Sequence, residues 1–133
     1  MVKFRAWHKT WEEMGKVKRI RFDDEGNITT VLVKGQAFGS NVHLEEIELM
    51  QSTGFEDNCG DAIFEGDIIL WTYWDEFEDS GRAKIVFDKG MFKLLDICTE
   101  KEVWDNLFDC NENCDIYITG NIYENPELLE VEE

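Results

Sequence analysis

Apolar and polar residues alternate with a period of two along most of the chain, and Gly with Asp or Asn interrupts that alternation at short intervals. This is the spacing of a protein built from short antiparallel strands. Val2, Phe4 and Ala6 alternate with Lys3, Arg5 and Trp7, which predicts a strand with one apolar and one amphipathic face. Val17 to Phe22 predicts a second strand, with Ile20 and Phe22 on one side and Arg19 and Arg21 on the other. Asp23-Asp24-Glu25-Gly26-Asn27 supplies a turn and Ile28 to Val33 returns with β-branched residues, completing a hairpin. Lys34 to Asn41, with Gly35, Gly39 and Ser40, reads as a loop and as the boundary between an N-terminal β subdomain, residues 1–41, and the remainder, residues 42–133. Residues 44–50 fit neither period cleanly and are assigned to strand.

Further along, Gly54, Asn58 and Gly60 mark a turn, Ile63-Phe64 a short apolar step, and Glu65-Gly66-Asp67 a tight corner. The apolar run Ile68 to Trp74 predicts a strand covered on both faces. An acidic loop, Asp75 to Gly81, leads into Arg82–Phe87, a turn at Asp88-Lys89-Gly90, and Met91–Cys98, so that three strands form a meander. Thr99-Glu100-Lys101-Glu102 matches the capping-box pattern, and Val103, Trp104, Leu107 and Phe108 follow at helical offsets, which predicts one short helix. Asp115 to Thr119 gives a last strand and Gly120-Asn121 breaks it. The whole is mainly β: a small N-terminal β unit plus a C-terminal SH3-like barrel with one short helix.

The composition suits that reading. With 133 residues, 43% of them hydrophobic, and a single proline, the chain is a globular protein rather than a linker or a disordered tract. No apolar stretch approaches the roughly 18 residues needed to span a bilayer, which implies a protein of the cytoplasm with no membrane partner. Charge changes the picture more. Residues 1–21 hold seven Lys or Arg against two Glu, whereas residues 22–133 hold six against twenty-eight, within a net charge of −17. So negative a body repels phosphate at long range and disfavours nucleic acid as a partner.

Candidate chemistry is sparse. Cys110-Asn-Glu-Asn-Cys114 has a gap that zinc sites tolerate, but no second close pair exists and His8 and His43 lie far upstream, so neither metal nor cofactor is implied. Reduced thiols are the default for Cys59, Cys98, Cys110 and Cys114. Glu65 and Asp67 lie two residues apart and would share a face if extended, but Gly66 between them marks a corner where both carboxylates point to water, and no nucleophile completes a constellation. No catalytic residues are assigned and the chain reads as a non-enzyme. The one feature with binding character is the interleaving of aromatic and cationic residues near the start: Arg5, Trp7, Trp11, Arg19 and Arg21 form the candidate interaction surface.

Three segments also resemble a known family. Lys3-Phe4-Arg5-Ala6-Trp7 with Met14, Leu49-Met50-Gln51-Ser52-Thr53-Gly54 continuing through Gly60 to Phe64-Glu65-Gly66-Asp67-Ile68, and Gly120-Asn121-Ile122-Tyr123-Glu124-Asn125-Pro126-Glu127-Leu128 are similar, in order, to the YopX-like proteins of bacteriophages and prophages. That resemblance implies a mostly β protein with an SH3-like barrel in its C-terminal part, encoded on a mobile element, working in the host cytoplasm and carrying no catalytic activity. The expectation is an accessory interaction module that binds a host or phage protein and self-associates. The alternative is an acidic nucleic-acid mimic that occupies the site of a host DNA-binding protein.

Overall fold

The computed structural model describes residues 3–35, 39–73, 80–104 and 106–129. Among the described residues it is mainly β, with 61% in strands, one α-helix, and two antiparallel sheets. The chain divides into two compact units, residues 1–52 and 53–133, and the division falls within the fifth strand.

The first unit contains β1 (Phe4–His8), β2 (Glu13–Phe22), β3 (Ile28–Lys34), β4 (Gly39–His43) and the beginning of β5 (Ile47–Glu56). The strands lie in the order β4-β3-β2-β1-β5, and β6 (Ala62–Phe64) continues that order beyond β5. β4 thus occupies part of the segment expected as loop, and β5 extends the strand expected over 44–50, with a single 3₁₀ turn at Leu44–Glu46 before it. The core of this unit is one face of the sheet: Ala6, Val31, Val33, Val42 and Ile47 are buried, with Val17, Ile20, Ile28 and Leu49 packed against them.

Strict alternation cannot place both Val17 and Ile20 on that face, because they are three residues apart. The register resolves the conflict: Val17 pairs with Val33 while Arg19 pairs with Leu32, so Lys18 is an extra residue, a β-bulge. A one-residue slip reverses the direction of every side chain that follows. The bulge therefore returns Ile20 to the core and turns Arg19 and Arg21 to the opposite face.

The second unit is built on β7 (Asp67–Tyr73), β8 (Ser80–Asp88), β9 (Met91–Asp96), β10 (Glu102–Trp104) and β11 (Cys114–Asn121), in the order β10-β9-β8-β7-β11. β7, β8 and β9 form the expected meander, and the adjacent Ile68 and Ile69 of β7 are both fully buried. Its core gathers Ile63, Ile69, Ala83, Ile85, Leu94, Leu107, Cys110, Cys114 and Ile116.

The two sheets are not closed, and the SH3-like barrel is not what the strand order shows. At the β11 edge the turn at 57–61 takes the place of a neighbouring strand: the Ile116 amide donates to Asn58 Oδ1 at 2.9 Å, the Ile118 amide donates to Asp57 Oδ2 at 3.1 Å, and the Asn58 amide donates to the Ile116 carbonyl at 2.8 Å. Side chains thus satisfy an edge that would otherwise recruit another strand. The helix α1 (Leu107–Asn113) also starts later than the capping box placed it. Asn106 is its N-cap, its Oδ1 accepting from the Asp109 amide at 2.8 Å. Thr99 Oγ1 instead accepts from the Lys101 amide within a turn, and Glu102 lies in β10, where it pairs with Lys93 at 3.2 Å.

Candidate functional site

Of the five residues singled out by sequence, four meet on the outer face of the N-terminal sheet. Cross-strand partners share a face, and the register gives four rows. Trp7 lies between Met14 and Glu48. Arg5 lies between Met50 and Lys16, and Lys16 is followed by Lys34. Arg19 is followed by Leu32 and Asn41, and Arg21 by Thr30 and His43. Neighbouring strands are about 4.8 Å apart and successive rows about 7 Å apart, so five cations share a patch of one to two nanometres. Arg5, Trp7 and Leu32 are half-buried, whereas Lys16, Arg19, Arg21 and Lys34 are exposed.

Trp11 does not join them. It lies in the β1–β2 turn and stacks on His8, with ring centroids 4.1 Å apart and planes inclined by 12°. Its amide donates to His8 Nδ1 at 3.2 Å. His8 is 5% exposed and points to the core side of β1, next in alternation to Ala6, so Trp11, still half open to solvent, covers that side of the sheet. The two indoles thus act on opposite faces, and the aromatic-cationic platform expected from sequence is split.

The face has an unusual electrostatic feature. Lys16 and Lys34 stand directly opposite each other, an arrangement that costs a few tenths of a kcal/mol to about 1 kcal/mol. The side chains of Lys16, Arg19, Arg21 and Lys34 have no ion-pair partner among the described residues, whereas Lys9 reaches Glu48 at 3.4 Å, Lys84 reaches Glu100 at 3.3 Å and Lys93 reaches both Asp88 and Glu102. Lys34 escaped sequence reading because it was assigned to a loop. The signal for the rest was the three-residue spacing of Val17 and Ile20.

The other candidates resolve as structure. Asp67 does not point to water as expected; it is 1% exposed and its Oδ2 accepts the Phe64 amide at 2.8 Å, closing the corner that Gly66 turns with φ of +88°. Glu65 is half-buried on the other arm of that corner. Cys110 and Cys114 are buried, and burial raises both thiols, Cys110 strongly, which disfavours the thiolate that metals and electrophiles require. Among the described residues no cluster of three His, Cys, Asp or Glu side chains is disposed to hold a metal ion. A shallow depression is lined by Ile28, Thr29, His43, Leu44 and Glu45.

The end of the second segment that carried the family resemblance and the whole of the third meet in the second unit. Asp67 pairs with Asn121 and Ile68 with Gly120, and the Ile122 amide donates to the Gly66 carbonyl at 2.9 Å. Asn121 Oδ1 accepts the amides of Tyr123 and Glu124, and Asn125 Oδ1 accepts the Asn121 amide. These motifs are therefore a turn and its anchor. No helix among the described residues is long and apolar enough to cross a membrane.

Comparison with known proteins agrees with this architecture. Protein EF1440 from Enterococcus faecalis, known from a crystal structure, superposes with a TM-score of 0.70 at 27% identity, covering 98% of this chain and 99% of that one. Protein yopX from Bacillus subtilis, also known from crystallography, gives a TM-score of 0.62 at 20% identity, covering 98% of each chain. A search of curated proteins returns no match. Residues 3–130, all but the ends of the chain, match the family described as YopX protein, and to that family the chain belongs.

Proposed function

We propose that this protein is a non-enzymatic phage or prophage accessory module that works in the host cytoplasm by docking a protein partner on the outer face of its N-terminal sheet. The observation that carries the reading is the set of four exposed cations, Lys16, Arg19, Arg21 and Lys34, held on one face without ion-pair partners among the described residues. A sheet pays for such a row in repulsion, and an anionic surface docked on it would relieve that repulsion.

Geometry favours a protein over nucleic acid as the occupant. The one indole on the face, Trp7, is half-buried, so it offers only part of its ring to a stacking base. The mimic reading receives less support. On the meander, Lys84 and Lys93 are set among Glu100, Asp88 and Glu102, so charges of both signs alternate where a phosphate-like array needs one sign.

The test is copurification from host cells of tagged wild type and of the double variant Arg19→Glu/Arg21→Glu. Both arginines are exposed, so the variant should fold with stability within about 0.5 kcal/mol of wild type. A partner retained by wild type and lost by the variant supports the reading. Equal retention, or turnover of a phosphoester, peptide or nucleotide substrate by the purified protein, overturns it.

A further inference from the structure

The charge of this chain is divided between its two units, and the division names an occupant for the cationic face. Residues 1–52 hold eight Lys or Arg and eight Asp or Glu, so the first unit is neutral overall and its cations are concentrated by folding. Residues 53–133 hold five against twenty-two and carry the entire net charge of −17. We infer that the outer face of the N-terminal sheet docks the acidic unit of a second copy of this chain, giving a head-to-tail, salt-sensitive association. The inference rests on the reading of that face as a docking surface.

The net charge of each copy does not forbid this. The Debye length at physiological ionic strength is about 8 Å. Contact between a cationic face and an acidic unit is short-range and survives screening that removes the long-range term. Because the two surfaces differ, the contact is heterologous and can extend beyond a dimer.

Sedimentation of the full chain tests it, at about 0.15 M and about 1 M salt, where the screening lengths are about 8 Å and 3 Å. At the lower salt the weight-average mass should rise with concentration above the 15.6 kDa of one chain. At the higher salt the association should weaken by about tenfold or more. Lys34→Glu separates docking from folding: it places a carboxylate opposite Lys16, so it should raise the melting temperature slightly while weakening association, and Arg19→Glu/Arg21→Glu should abolish association.

Self-association that neither variant weakens overturns the inference. So does a chain monomeric at every concentration. In that case, titration with a synthetic glutamate-rich peptide decides what else falls: binding that depends on Arg19 and Arg21 leaves the docking face standing with a foreign occupant. Tighter binding of a single-stranded oligonucleotide than of the peptide, or binding of neither, removes both readings.

Discussion

Asp57 secures more backbone than any other side chain around the β11 edge, so Asp57→Ala is the sharpest test of how that edge is closed. Its Oδ1 accepts the amides of Cys59 at 3.0 Å and Asp61 at 2.9 Å, and its Oδ2 accepts the amide of Ile118 across the fold at 3.1 Å. Asp57 itself is buried. A hydrogen bond to a charged group contributes about 1.5–3 kcal/mol net. The Cys59 and Asp61 amides belong to exposed residues that water can reach once the carboxylate is gone, so the three bonds do not add in full. A loss of about 3 kcal/mol follows, which at an m-value near 2 kcal/mol per molar lowers the urea midpoint by about 1.5 M. Amide exchange gives the local readout: Ile118 should lose protection, while Ile85, in the middle of the meander, should slow or hasten only with global stability. Asp57→Asn keeps one acceptor but presents an amide group, and should fall between wild type and alanine. A midpoint shift under about 0.3 M, or unchanged protection at Ile118, would show that Asp57 does not close this edge.

Other outcomes follow from the same geometry. Gly120→Ala puts a methyl 2.6 Å from Asn125 Oδ1 and 2.9 Å from Leu128 Cδ1, and should cost about 1–3 kcal/mol by urea titration as the turn that anchors the C-terminal segment shifts. Thiol labelling of the native protein should reach exposed Cys59 and Cys98 quickly and Cys110 and Cys114 only on unfolding, because burial holds the latter pair protonated. The Asn27 amide, with that of Glu25, holds the Asp23 carboxyl below its ordinary range. Its contribution to the β2–β3 turn is therefore complete above the ordinary carboxylate value and lost as pH falls through the lower folded value, which chemical shifts of the Asn27 amide between neutral pH and pH 2 would follow.

Much of the fold was legible because it follows from alternation. The β7–β8–β9 meander and the β2–β3 hairpin are bounded by turn residues whose chemistry is local, and both lie where the pattern put them. What failed was non-local. The capping box at Thr99–Glu102 was sound as a local pattern, yet Glu102 gains a strand pairing opposite Leu95 and an ion pair with Lys93, and Asn106 caps the helix instead. β4 contains Gly39 and Ser40, poor strand formers, and forms because β3 offers it an edge. At the site, the arginines of β2 were legible as sharing a side, but which side faced the core depended on the bulge at Lys18, marked only by the spacing of Val17 and Ile20. Trp11 was misplaced because its stacking on His8 is decided by the β1–β2 turn and not by strand alternation.

A docked partner would cover the cations of β2 and β3 in the working state of the protein. Lysine acetylation footprinting in a lysate of cells that express it tests that most directly, comparing Lys16 and Lys34 with Lys89 and Lys101, which are exposed in the other unit. Slow modification of Lys16 and Lys34, rising to the rate of Lys89 and Lys101 when the lysate is brought to high salt, is the result this account predicts. Equal rates for all four lysines at physiological salt would contradict it.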